Sequence, residues 1–530
     1  MSRAGAVRNA WATIRRALWR PWPWLAIAAA VAAWWAAPAD AHARPGGGHS
    51  YSGGHSYSGG HSYSGGHSYS GGGGGGGGGE LAVLLIRLIV VYPEIGIPLT
   101  IIVVIGVLVA KRNNGNLSNW DVGSFVPEPP PPPPPPPPRL DEIRRVDPDF
   151  SEVLFTDFAY ALYARAHQAR VHPNAMRTCA PYLSEPVRQQ LLSRTPQGVP
   201  VHGVVIGAMR PVTAIVPSTP TDEDGTPKRC TVVLDFESNM TAGAPGDERT
   251  YYVHERWTLS RDATARSRPP AKARSLNCPN CDAPFESSDD ATCSYCGEVV
   301  NDGRFEWVVT YVALLHQEDR PPSLAGHTPE RGTDLATVRD PNVDSELAAL
   351  QTDDPAFSIE AFGMRLQTIY SVLNSAWGDM DLPRARPFVS DSLYNYLQYW
   401  IDCYRAQGLV NRNDNARITN WMIVKVVRDA HYAAITCRVW AEGCDYTLDQ
   451  NTGRVVGGSK STVRRYTEYW TLIRGAATRG AARWELSCPN CGAELKINMA
   501  GTCEFCNAHV TSGEFDWVLS KIEQDDAYAG

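Results

Sequence analysis

The chain has 530 residues, a formal charge of −7 and 13 cysteines, and its acidic balance argues against a chain-wide basic face for nucleic acid. Residues 45–79 are almost all Gly, His, Ser and Tyr, and residues 127–138 are nearly all Pro. Neither stretch holds enough apolar surface to offset its ordering entropy, so packed structure is expected from about Asp141 onward, enough for two cores of ordinary size.

The start is basic (Arg3, Arg8, Arg15, Arg16, Arg20) and leads into "WLAIAAAVAAWWAAPADAHA" at 24–43. A charged start, a short apolar run and a small-residue site describe a secretory signal within 1–43; an uncleaved anchor flanked by Trp is the alternative. In the repeats of 44–79, "GGHSYS" recurs in tandem and spaces His49, His55, His61 and His67 six residues apart. These read as a flexible polar tail or as a site for a transition metal. Residues 81–110 are long and apolar enough for a transmembrane helix, interrupted by Arg87 and Glu94 and ended by Lys111-Arg112. Arg and Lys flank the two apolar segments, and the loop between them carries almost none. The positive-inside rule therefore puts the repeat tail outside and everything after 111 inside. The expected location is a bacterial inner membrane, single-pass after signal cleavage, with cytoplasmic globular domains. The linker 111–146 contains Pro129–Pro138, a polyproline spacer about 31 Å long at ~3.1 Å per residue.

Beyond the spacer the chain repeats itself. "DPDFSEVLFTDFAYALYARAH" from Asp147 matches "DPAFSIEAFGMRLQTIYSVLN" from Asp354, and "YYVHERWTLSR" at 251–261 matches "RRYTEYWTLIR" at 464–474. Four-cysteine clusters follow, then "GRFEWVVTYV" from Gly303 and "GEFDWVLSKI" from Gly513. Landmarks in the same order, offset by 207 to 213 residues, indicate a duplication. The expected limits are 147–320 for the first domain, 321–353 for a linker and 354–526 for the second domain. In the second copy, Phe362, Leu366, Ile369, Leu373 and Trp377 make one helix face. A second helix has Ser390 or Asp391 as cap and stops at Gly408. Strands are expected from Ile418, Tyr432 and Ser461, with a turn at 449–453 and a last strand in "FDWVLSKI". Helices followed by an antiparallel sheet make the fold class α+β, a curved sheet with helices in its concavity.

The helical opening "FSIEAFGMRLQTIYSVLNSAWGDMDLPRARPFVSDSLYNYL", the "RRYTEYWTLIR" strand and the closing "WVLSKI" resemble the Tim44-like domain family. This is the fold of the C-terminal half of a mitochondrial inner-membrane import subunit. The resemblance covers about 355–530 and, more weakly, 147–316. It implies two cone-like domains related to nuclear transport factor two, with roles in membrane or lipid association and in holding partner proteins at a membrane. Two copies, an inserted cysteine cluster in each, and "GVVIGAMRPVTAIVP" in the first copy depart from the family pattern.

Cys278, Cys281, Cys293 and Cys296 form one cluster, and Cys488, Cys491, Cys503 and Cys506 form the other, each with eleven residues between its two Cys-x-x-Cys pairs. Two such pairs complete a closed tetrahedral shell, so each cluster is expected to hold a structural Zn2+ in a ribbon, at 276–300 and 486–510. Gly297 and Gly492 follow a knuckle's second cysteine, where a left-handed turn costs least; Asp282 and Asn507 take the equivalent places. Both ribbons carry more acid than base, which disfavours phosphate binding.

His167, His254, Glu255, His431 and Glu468 are the titratable candidates for catalysis. Glu255 and Glu468 match between copies, but His254 aligns with Thr467, and alternation leaves Glu468 free to face solvent. No enzyme is expected. The expected role is a membrane-anchored scaffold that binds a protein partner or lipid, with Tyr394, Tyr396, Tyr399, Trp400 and Tyr404 mostly core or lining a concave site. The alternative is an exported-tail sensor or metal-handling protein working through its His repeats.

Overall fold

The computed structural model describes residues 138–530, apart from 195–197, 245, 274–275, 286–290, 320–323, 325–332, 484–486, 499–500, 526–527 and 529. The segments expected as signal, repeat tail and transmembrane helix, and most of the Pro-rich linker, lie outside the described residues. Among those described, no helix is long and apolar enough to cross a membrane.

The first half opens with a 3-10 turn at Leu140–Arg145, then α1 (Glu152–Ala169), α2 (Pro173–Arg177) and α3 (Glu185–Ser193). A four-stranded antiparallel sheet follows in sequence order, β1 (Val201–Ile215), β2 (Arg229–Ala242), β3 (Arg249–Asp262) and β4 (Val308–Asp319). The second half has α4 (Val343–Asp353), α5 (Ile359–Gly378), a 3-10 turn at Leu382–Phe388 and α6 (Asp391–Ala406). Its sheet runs β5 (Leu409–Arg428), β6 (Tyr432–Asp449), β8 (Arg464–Gly475) and β9 (Val518–Gln524), with β7 (Val455–Gly458) paired to β6. Each half thus places its helices first, then its sheet, with a cysteine cluster between the last two main strands.

The repeated motifs explain the matching starts. Ser151 caps α1 by accepting the Leu154 N–H at 3.3 Å, and Ser358 caps α5 by accepting that of Ala361 at 3.2 Å. Asp147 and Asp354, four residues before those caps, reach across to the ends of β3 and β8. Arg261 Nη2 lies 2.7 Å from Asp147, and Arg474 Nη2 lies 2.8 Å from Asp354, all four side chains buried. Each guanidinium also sits over the Trp that precedes the last strand, Trp307 at 4.8 Å and Trp517 at 4.7 Å. One device ties helix start, third strand and last strand together in both halves.

The helices fill the concave side of each sheet. Phe155, Leu162 and Tyr163 pack on Leu234, Phe236 and Trp257 in the first half; Phe362, Leu366, Ile369 and Leu373 pack on Ile435, Val439 and Trp470 in the second. The two halves also touch. Leu154 of α1 joins Tyr432, Ala434, Ile473 and Val518, Arg144 Nη1 donates to the Arg428 carbonyl at 3.0 Å, and Val205 enters the second core.

Several expectations need correcting. Residues 343–353 form α4, whose Val343 and Leu350 are buried in the second core, so the linker is shorter than 321–353. Leu140, Ile143 and Val146 belong to the first core, so that half starts before Asp147. Strand β5 begins at Leu409 rather than Ile418. Its polar opening is satisfied by the fold: the Asn411 amide accepts from Trp377 Nε1 at 2.8 Å and donates to Asp445 at 2.8 Å. The divergent "GVVIGAMRPVTAIVP" forms most of β1, in the same place as β5 of the other half.

Candidate metal centres

Both cysteine clusters are stacked knuckles. In each pair, the N–H one residue past the second cysteine donates to the carbonyl of the first: Asp282 to Cys278, Gly297 to Cys293, Gly492 to Cys488 and Asn507 to Cys503, at 2.8 to 2.9 Å. That turn requires a left-handed residue, and the four have φ of 62°, 74°, 73° and 57°. Asp and Asn take the position because their short polar side chains tolerate it best after Gly.

The four sulfurs of each cluster lie within 4.8 Å of one another. Cys278 and Cys296 are 3.9 Å apart, Cys281 and Cys293 3.8 Å, and Cys488 and Cys506 3.8 Å. Metal–sulfur bonds of about 2.3 Å in a tetrahedron give edges of about 3.8 Å, so both clusters have the dimensions of a four-thiolate metal centre. The amide of Asn280 points its N–H at Cys296 Sγ (3.5 Å), and Asn490 does the same to Cys506 (3.4 Å). These donors favour thiolates. The Glu298 N–H and the Asn280 amide draw Cys296 down to about 7, and the Asn490 amide and the Ala508 N–H draw Cys506 down to about 6. Burial pushes Cys278 up to about 12, so metal loading there must displace a firmly held proton. Each ribbon has a small apolar cluster of its own, with Phe285 and Val300 in the first and Leu495 and Val510 in the second. The second ribbon is anchored to the start of α6: Thr511 Oγ1 donates to Asp391 at 3.0 Å, and Arg386 holds the same carboxylate at 2.6 Å.

The remaining cysteines, Cys179, Cys230, Cys403, Cys437 and Cys444, are free thiols, all buried except the half-buried Cys403.

Of the titratable candidates, the fold joins His167 to Glu255 and leaves the others apart. His167 Nε2 is 2.9 Å from Glu255 Oε2, inside the first core. The Arg170 guanidinium donates to His167 Nδ1 at 3.0 Å, which fixes the proton on Nε2 and makes the imidazole a neutral donor to the carboxylate. Arg194 Nη1 and Trp257 Nε1 (3.1 Å) also donate to Glu255. Burial works to raise the Glu255 pKa, but His167, Arg194 and Trp257 outweigh it and hold the carboxyl down to about 2. Burial pushes His167 below the usual imidazole range against the pull of Glu255. Glu468 is buried as well, at 2% exposure, and accepts the Trp470 indole N–H at 2.9 Å. The solvated face allowed for it by strand alternation is therefore wrong. His254 lies beside Asp235 (3.7 Å), and His431 sits in the β5–β6 turn on Asp429.

The aromatics of α6 do not line an open concavity. Tyr394, Trp400 and Tyr404 are core, and Tyr399 packs near Gly203 of the first half. Two shallow clefts among the described residues lie elsewhere. One is bounded by Arg365, Phe388 and Leu495, where the second cysteine cluster meets its core, and the other by Phe155, Arg268 and Trp307 in the first half.

Residues 343–488 match the family model of the Tim44-like domain. The Tim44-like match begins at α4 and ends at the first ligand of the second cysteine cluster, so it spans α4 to β8. A comparison with curated proteins finds no match. One solved structure similar to this chain is an NTF2-like protein involved in plasmid conjugation, at 7% identity and a TM-score of 0.17, covering 70% of this chain and 97% of that one. A superposition that loose leaves the fold to be read from the sheets and helices above.

Proposed function

We propose that the chain is a membrane-anchored scaffold whose two halves are both Tim44-like domains, each stabilised by one zinc ribbon, and which holds a protein partner or lipid at the inner membrane surface in a role linked to protein transport. The observation that carries this reading is the Tim44-like match over 343–488. The same element order in the first half supports extending it to a second copy. Zinc is the metal favoured by four thiolates with closed tetrahedral dimensions, and its role here is structural. The arginine distribution around 24–43 and 81–110 supports a cytoplasmic location for both domains. A non-catalytic role is favoured because Glu255 and His167 spend their hydrogen-bonding capacity on Arg170, Arg194 and Trp257 in a filled core. The filled cones direct partner binding to the outer surface.

The test uses the full chain purified from native membranes after crosslinking, with metal content by mass spectrometry and co-purifying lipid and protein identified. Two zinc ions per chain and a crosslinked partner that survives deletion of 45–79 support the scaffold. A partner lost on that deletion favours the alternative, in which the four "GGHSYS" repeats are the working part of a sensor or metal-handling protein.

A further inference from the structure

Among the described residues only three aromatic side chains are exposed: Tyr295 at 59%, Tyr311 at 60% and Phe505 at 56%. Tyr295 and Phe505 occupy the same position in the two cysteine clusters, the residue before the last ligand, in "CSYC" and "CEFC". The first knuckle of each cluster is built differently. There the Asn side chain, though exposed, folds back so that its amide serves a ligand sulfur. The second knuckle projects its ring into water.

The backbone beneath these rings is held by hydrogen bonds. Cys293 N donates to the Glu298 carbonyl and Cys503 N to that of Ala508, both at 2.9 Å, and the bridges Thr292–Val299 and Thr502–His509 close the hairpins behind them. Val299 in the same hairpin is also exposed, at 41%. A solvent-facing aromatic ring on a held backbone suits a binding anchor.

The surroundings select the sign of the partner. Among the described residues of 278–304, Asp282, Glu298 and Asp302 stand against Arg304 alone, and residues 488–514 carry three carboxylates against Lys496. A divalent ion held by four thiolates adds roughly two further negative charges per ribbon. An aromatic face in an acidic field attracts guanidinium and ammonium groups by both cation–π and Coulomb terms.

We infer that Tyr295 and Phe505 are paired anchors for a cationic, partly apolar segment of a partner protein, one ring per ribbon. This rests on the scaffold reading and names the kind of partner segment and the place it docks. The test uses the full chain in phosphatidylcholine nanodiscs and the fluorescence anisotropy of a labelled peptide alternating Arg and Leu, with a Glu–Leu peptide as control. Wild-type chain should bind the Arg–Leu peptide and not the control. Tyr295→Ser with Phe505→Ser should weaken binding about tenfold, while Tyr295→Phe stays within twofold because the ring is kept. Metal content should be unchanged in both variants, which separates loss of the anchor from loss of the fold. Serine variants that bind within twofold of wild type, or equal binding of the Glu–Leu peptide, overturn the assignment. The crosslinking experiment repeated on the serine variants separates the two readings. A partner retained there removes the rings as anchors and leaves the scaffold standing. A partner absent even from wild type removes the scaffold, and the peptide result then decides the rings alone.

Discussion

Replacing Asp147 by Asn should destabilise the first half and leave the second intact. Asp147 and Arg261 are both fully buried, with Nη2 to Oδ2 at 2.7 Å, and the same carboxylate oxygen accepts the Ser267 N–H at 3.1 Å and the Ser267 hydroxyl at 2.6 Å. Asn keeps the shape and one acceptor but removes the charge, so the Arg261 guanidinium stays buried under Trp307 with no counter-ion. Stranding one member of a buried pair costs about 3–5 kcal/mol, against a domain stability of about 5–15 kcal/mol. A chain of this size need not melt as one two-state unit, so hydrogen exchange resolved by segment on the full chain is the suitable assay. Protection in β2 and β3 should fall by about a hundredfold or more, at about 1.4 kcal/mol per tenfold, while β6 and β8 keep theirs. Adding Arg261→Met removes the stranded charge and should recover much of the loss, for a coupling of about 2 kcal/mol. A loss under tenfold, or a double variant as poor as the sum of the singles, would refute the claim that the pair works as a unit. Asp354→Asn should transfer the same result to the second half through Arg474.

Acid should act on the first half through Glu255. Its carboxyl is held at about 2 against an ordinary 4.5, so its contribution is complete above about pH 4.5 and is lost as pH falls from there through about 2. The amount at stake is on the order of 3 kcal/mol, and Glu255→Gln should flatten that acid limb; parallel limbs for variant and wild type would sink the assignment. Cys281→Ser should lower metal content from two ions to one and Cys491→Ser likewise, with unchanged metal in either variant refuting the four-thiolate sites. Gly501 has φ +76°, and a Cβ there would lie 2.0 Å from Thr511 Oγ1, whereas Gly492, with φ +73°, faces open space. Gly501→Ala should therefore cost about 1–3 kcal/mol and speed metal loss to a chelator, and Gly492→Ala only the backbone strain of about 1 kcal/mol. Equal rates for the two would contradict the packing of the second ribbon.

The legible parts of this chain were those written in local spacing. Cysteine pairs, serine caps, the apolar face from Phe362 to Trp377 and the left-handed positions 282, 297, 492 and 507 all depend on neighbours within a few residues. The start of β5 was hidden because Asn411 and Asn413 look like loop residues until their partners, Trp377, Asp445 and Tyr466, are brought to them from other elements. The His167–Glu255 contact joins residues 88 apart, and nothing in the spacing around either one points to the other. The Asp–Arg ties were within reach. Asp147 and Asp354 head matching segments, and Arg261 and Arg474 end matching strands, so charges of opposite sign recur together in both copies.

Comparing the two halves separates what maintains the fold from what a partner can meet. The Asp–Arg–Trp tie, the Trp N–H on Glu255 or Glu468, and the four-cysteine shell occur in both halves, and each is buried or consumed by its own contacts. Two members of the charged ring around Glu255 do not recur: a count of 207 residues from His167 and Arg170 arrives at Asn374 and Trp377, neutral residues. A function carried by that cluster would belong to one half only. The exposed knuckle rings are different. They recur in both halves, they face water, and the shells beneath them close without them. Exposed aromatics at the same position in both halves are what the anchor proposal rests on. If Phe505→Ser alone weakens peptide binding as much as Tyr295→Ser alone, the ribbons act as equivalent anchors. If only one does, they do not work as a pair, and the ring whose loss weakens binding marks the half that meets the partner.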